Sequence, residues 1–222
     1  MKNLQTRSGF RFCGLLITAL LAMGCQSIYY STMEKFGVQK HEILVDRVEE
    51  ARNSQEEAKE QFKTALEQFS AVVNFDGGEL EEKYEILNAE YKRCKSKAEA
   101  VSDRIAAVEN VGKALFAEWE TELNQYSSAS LRQSSQRKMI RTRQEFDQLI
   151  RSMHRAEDRI APVLSAFQDQ VLFLKHNLNA SAIASLKNEL AMVETDVASL
   201  IEEMEAAIAE ADGFIKTMAD TR

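Results

Sequence analysis

Residues 183–218 read IASLKNELAMVETDVASLIEEMEAAIAEADGFIKTM, and this stretch decides the fold. Steps of three and four residues pick out Ile183, Leu186, Leu190, Val193, Val197, Leu200, Met204, Ala207, Ala211, Phe214 and Met218, with no charge in the row. A row that recurs every 3.5 residues, with acids and lysines between its members, predicts a helix whose apolar seam packs on other helices in coiled-coil fashion.

Three further rows precede it. The first runs Leu44, Val48, Ala51, Gln55, Ala58, Phe62, Ala65, Phe69, Val72, broken only by Gln55. The second runs Leu80, Tyr84, Leu87, Tyr91, Cys94, Ala98, Val101, Ile105, Val108, Gly112, Leu115, Trp119. The third runs Met139, Thr142, Phe146, Leu149, Met153, Ala156, Ile160, Val163, Phe167, Val171, Leu174, Leu178. Asn74-Phe75-Asp76-Gly77-Gly78, Ser127-Ser128-Ala129-Ser130 and Asn177-Leu178-Asn179-Ala180-Ser181 punctuate the rows with turn residues and candidate N-caps. The predicted helices cover residues 33–74, 79–126, 131–178 and 181–219, and the single proline, Pro162, is expected to kink or split the third. Short turns make sequential helices antiparallel. The expectation is an all-α, elongated antiparallel four-helix coiled-coil bundle over residues 33–222, with helices roughly 60 to 70 Å long at 1.5 Å per residue. A parallel dimer also satisfies these heptads.

Ahead of the bundle stands a different kind of sequence. Lys2, Arg7 and Arg11, with no acid among them, precede an apolar run from Phe12 to Met23, most of which lies in LLITALLAMGCQS, residues 15–27. About a dozen apolar residues are too few for a membrane span, which needs roughly 20. They suit the core of a cleaved signal peptide. Gly24-Cys25 resembles the end of the bacterial lipobox, although Ala22 stands where that motif favours Leu. The resemblance implies cleavage before Cys25, leaving residues 1–24 as the signal peptide and 25–32 as a lipid-anchored linker. It also implies a diacylglycerol and an acyl chain on Cys25. Several chains on one residue anchor stably where a single chain does not. By the enteric sorting rule, Gln26 in place of Asp implies a periplasm-facing position on the outer membrane; the periplasmic face of the inner membrane is the alternative. Ile28, Tyr29 and Tyr30 fit either the membrane interface or a first helical turn. An ordinary secretory signal with an incidental Cys25 is the competing reading.

Loss of the signal peptide removes three positive charges and no acid, taking the formal charge from −7 to −10. An acidic chain is not expected to bind nucleic acid. Cys13 leaves with the signal and Cys25 carries lipid, so Cys94 has no intramolecular partner. In the apolar row it reads as a small buried hydrophobe; a disulfide across a dimer seam is the alternative.

Catalytic chemistry is not expected. Gly112-Lys113 precedes Ala114 in mid-helix and makes no phosphate loop, and no C-x-x-C or H-E-x-x-H pattern occurs. The residues three before His41, His154 and His176 are Val38, Arg151 and Phe173, so the Glu-x-x-His pairs of di-iron bundles are missing. His154 and Asp158, four apart, read as a solvated pair. No metal site or cofactor is expected beyond the covalent lipid.

Two surface features are candidate sites. Arg132, Arg137, Lys138, Arg141 and Arg143 open the third helix at the end the topology turns toward the anchor. There they suit anionic headgroups at about 1 kcal/mol each. Pairing with Glu203, Glu205, Glu210 and Asp212 of the fourth helix is the alternative. At the opposite end, Leu172 and Phe173 fall outside the narrow seam and form a candidate partner site, unless a broader bundle core buries them.

YYSTMEKFGVQKHEILVDRVEEARNSQEEAKEQF (29–62) and FQDQVLFLKHNLNASAIASL (167–186) resemble an uncharacterised family of gammaproteobacterial coiled-coil lipoproteins that carries a domain-of-unknown-function label. The resemblance covers nearly all of the chain after residue 25 and implies no activity. Some members bear the label DNA repair ATPase, which calls for a phosphate loop and a basic balance that this sequence lacks. The expected function is a membrane-anchored periplasmic scaffold or spacer. The alternative is a binding module that captures an envelope protein, lipid or peptidoglycan. An envelope protein is the expected partner, and self-association is open.

Overall fold

The computed structural model of the chain describes residues 40–74, 80–177 and 179–219. The signal segment, Cys25, Gln26, Tyr29, Tyr30, residues 33–39, the turn residues 75–79 and Leu178 lie outside them. Two compact units divide the chain, Met1–Ile43 and Leu44–Arg222. The described residues form four helices, α1 (Lys40–Val73), α2 (Leu80–Leu123), α3 (Ala129–His176) and α4 (Ala180–Ala219), and no strand.

The rows of the sequence become the core. All nine members of the first row are buried, Gln55 included. Phe62, Phe69, Ile105, Leu149, Met153, Leu200 and Met204 are among the largest fully buried side chains. Each such residue contributes about 1.5–3 kcal/mol by leaving water, so the seams dominate stability. Phe62 of α1 stacks on Phe167 of α3 across the bundle, with ring centroids 6.3 Å apart.

Ion pairs along the surface define neighbours and direction. Glu50 meets Arg104 and Glu57 meets Lys97, both at 2.7 Å, so α1 and α2 are antiparallel. Glu109–His154 at 3.1 Å and Glu120–Arg143 at 2.8 Å do the same for α2 and α3. Arg155–Glu203 at 3.4 Å joins α3 to α4. Arg52–Asp212 at 3.5 Å and Lys59–Glu205 at 3.8 Å close the ring between α4 and α1. Pairs with an exposed partner, as each of these has, are worth about 0–1 kcal/mol; they report the register more than they hold it.

That register is staggered. The α1–α2 pairs put Leu44 level with about residue 110 of α2, and Arg155–Glu203 with Gln148–Glu210 puts Ala219 level with about residue 139 of α3. The α2–α3 hairpin therefore runs on past both levels by about ten residues per arm, roughly 15 Å. From Glu120 to Lys138 only Leu123 is buried, as expected where two helices have lost two of their neighbours.

Ser128 is the N-cap of α3: its backbone is extended (φ −86°, ψ 116°) and its Oγ accepts from the Leu131 N–H at 3.4 Å. Pro162 does not split α3, which continues as one helix to His176. The proline is on the exposed face, so the carbonyl it leaves without a partner, that of Asp158, belongs to an exposed residue too.

Candidate functional site

The basic cluster sits on the projecting hairpin. Arg132, Arg137, Lys138 and Arg141 are exposed and Arg143 is half-buried. The alternative, pairing with the acids of α4, does not occur. Asp212 and Glu205 are engaged by Arg52 and Lys59 of α1, Glu203 by Arg155, and Glu210 by Gln148. The stagger is the cause, because the α4 acids lie alongside residues from about 146 onward in α3 rather than alongside its start. Arg143 instead pairs with Glu120 and lies over the Phe116 ring, 4.8 Å from its centroid. Arg132 donates to Asn124 Oδ1 at 3.4 Å. Among the described residues Arg137 and Arg141 have no carboxylate within ion-pair distance.

Exposed apolar side chains flank these cations. Leu131 is 60% exposed, Ile140 47% and Tyr126 42%. A concavity of about 670 Å³ at the turn is lined by Tyr126, Ser127, Ser130, Arg132, Gln133 and Gln136.

At the opposite end, Leu172 and Phe173 point outward, 46% and 39% exposed, while Val171 and Leu174 fill the core. A broader seam therefore does not absorb them. Asn177 closes α3, donating its backbone N–H to Leu174 O at 3.2 Å and its Nδ2 to Phe173 O at 2.9 Å. Lys175 and His176 in the last turn suit the negative end of the helix dipole.

The histidine expected beside Asp158 has other partners. His154 Nδ1 lies 2.8 Å from Glu157 Oε2, and Nε2 lies 3.1 Å from Glu109 Oε1 on α2. Asp158 is exposed on the neighbouring face. Burial alone would lower the His154 pKa, but the hydrogen bonds to Glu109 and Glu157 outweigh it and hold it above the ordinary 6.5. A raised pKa stabilises the fold fully below 6.5, and the gain is lost as pH rises through the folded value. The stability difference between wild type and His154→Gln should thus be largest near pH 6 and shrink toward about pH 9, as read by thermal unfolding. A difference that grows with pH would contradict the bridge.

Cys94 is fully buried, and its thiol donates weakly to the Gln61 carbonyl at 3.7 Å. Burial pushes its pKa up to about 12. The folded chain should resist iodoacetamide at Cys94 and react fully in denaturant, as mass spectrometry would show. Rapid labelling of the native protein would mean that the seam opens.

Among the described residues no three His, Cys, Asp or Glu side chains converge on a cation position, and no described helix is long and apolar enough to cross a membrane. Against this geometry the comparisons with known proteins add one result. Residues 29–218 match the model of the family described as Protein of unknown function (DUF2959). The chain belongs to the DUF2959 family. No curated protein and no solved structure matches it. The DUF2959 match takes in both surface features and runs through α1, α2, α3 and all but the last residue of α4.

Proposed function

We propose that this DUF2959 protein is a membrane-anchored periplasmic lipoprotein that acts as a helical scaffold or spacer in the cell envelope. Signal cleavage before Cys25 and lipidation of its thiol supply the anchor, and Gln26 directs the chain to the outer membrane. The bundle carries a contact surface away from the lipid. The observation that carries the reading is the exposure of Leu172 and Phe173 at the end opposite the α2–α3 turn, in a helix whose neighbouring apolar residues are otherwise buried. Two adjacent apolar side chains held in water at the end of long helices suit a protein partner. Leu44 of α1 lies toward the α2–α3 turn, the end where the anchor reading puts the membrane.

Photo-crosslinking in cells tests this, with the crosslinker placed at Phe173 and, as a control, at the exposed Asp158. The expected result is a discrete adduct from position 173 that is absent from position 158 and lost when Cys25→Ala releases the chain from the membrane. A folded, anchored protein that gives no adduct at 173 beyond the control would contradict a partner-bearing scaffold.

A further inference from the structure

We infer that the projecting tip of the α2–α3 hairpin is a second membrane contact, which binds the surface of an anionic lipid bilayer. The inference rests on the proposed anchor only for bringing the tip close to a bilayer.

Between Ala129 and Gln144 the chain carries five cations and no acid, although its overall formal charge is −7. Basic residues at a helix N-terminus oppose the positive end of the helix dipole, so Arg132 in the first turn stands where an isolated helix would favour an acid. An anion outside the protein relieves that opposition. The α4 acids that could have neutralised the cluster are held elsewhere, by Arg52, Lys59, Arg155 and Gln148. Arg137 and Arg141, with Ile140 between them on the outward face of α3, are left to solvent.

The apolar members complete the chemistry. Leu131, Ile140 and Tyr126 are among the most exposed large hydrophobic residues described, and all three belong to this hairpin end. Basic side chains interleaved with exposed leucine, isoleucine and tyrosine suit the boundary between headgroups and acyl chains. A purely acidic protein partner would use the charges but leave Leu131 and Ile140 in water. The covalent reach from Cys25 to Leu44, 19 residues at roughly 3.3–3.6 Å each, is at most about 70 Å, so an anchored chain can bring this end of the bundle down to the bilayer.

The test uses the processed full chain purified from membranes and reconstituted into vesicles of phosphatidylcholine alone or with about 30% phosphatidylglycerol. An environment-sensitive fluorophore is attached through Leu131→Cys; Cys94 is fully buried and does not compete. The expected result is a blue shift and intensity gain confined to phosphatidylglycerol vesicles. High salt should abolish it, and Arg137→Glu/Arg141→Glu should weaken the dependence on phosphatidylglycerol by about tenfold or more, with the circular dichroism melt unchanged. The same dye at Phe173→Cys should not respond. A probe at 131 that ignores lipid charge or charge reversal overturns the inference, as does an equal response at 173. A response to polyglutamate but not to vesicles assigns the tip to a protein and also overturns it.

Flotation of the wild type with pure phosphatidylcholine vesicles, and its loss in Cys25→Ala, reads the anchor alone. A floating chain with a silent tip refutes the tip and keeps the anchor. A chain that fails to float but whose tip probe still reports phosphatidylglycerol refutes the anchor and keeps the tip.

Discussion

Gly112→Ala is expected to destabilise the bundle by about 1–3 kcal/mol, although alanine is the better helix former by about 1 kcal/mol. Gly112 lies in the buried seam of α2 and faces the Phe146 ring of α3. A Cβ added there would stand 2.2 Å from Phe146 Cζ, 2.6 Å from Cε2 and 2.8 Å from Cε1. Two aromatic neighbours hold the ring in place. Phe116 meets it edge-on with centroids 5.5 Å apart, and Phe214 of α4 packs against it at 6.1 Å. Relief must come from separating α2 and α3 or from turning Phe146 off its rotamer. Chemical denaturation should show a lower midpoint, and Phe146→Leu in the Gly112→Ala background should recover part of the loss. An alanine variant as stable as wild type would mean that the helices are not this close.

Gln55→Met is expected to act in the opposite direction, stabilising the chain by about 1–3 kcal/mol. Gln55 is fully buried, and neither its Nε2 nor its Oε1 has a hydrogen-bond partner. Register places it level with about residue 99 of α2 and about residue 209 of α4, near the buried Ala98 and Ala207. An unbranched side chain of similar length can fill the space beside those alanines, and only the amide is out of place. Burying an amide without a partner costs more than its packing returns. Methionine keeps the shape and removes that cost. A higher denaturation midpoint at unchanged denaturant dependence is the expected result. A lower midpoint would show that the amide is satisfied within the core. Leaving one polar residue in a seam is a known way to specify register, so the variant should also be checked for a change in oligomeric state by light scattering.

The seams were legible because a 3.5-residue pattern reports the buried face of a helix whatever packs on it. Leu44 to Val72 shows this without exception. The second row shows where the pattern blurs. Tyr84, Tyr91 and Trp119 are only half-buried, and Trp119 turns its Nε1–H to Ser135 Oγ at 2.9 Å. Aromatic residues with a polar handle settle at the rim, while Val111 and Phe116, off the narrow seam, are buried because a four-helix core takes a wider stripe. At the start of α4 the buried residue is Ala182, with Ile183 and Leu190 half-exposed.

What the sequence could not reveal was the axial stagger, since a short turn sets direction but not the level at which the next helix pairs. The partners of His154, 45 and three residues away, depend on that level, as does the escape of the α4 acids from Arg132, Arg137 and Lys138. The exposure of the basic tip follows from the same offset. No local pattern around Arg137 or Arg141 could have shown that these two stand away from the α4 acids.

The measurement that bears most directly on the anchored-scaffold reading is incorporation of radiolabelled palmitate in cells, wild type against Cys25→Ala, with fractionation of the membranes. The account predicts label in the wild-type chain, recovery of that chain with the outer membrane, and loss of both label and membrane association in the variant. A wild-type chain that takes up no label, or a Cys25→Ala chain that stays on the membrane without it, would contradict the anchor and with it the assignment of one end of the bundle to the lipid surface.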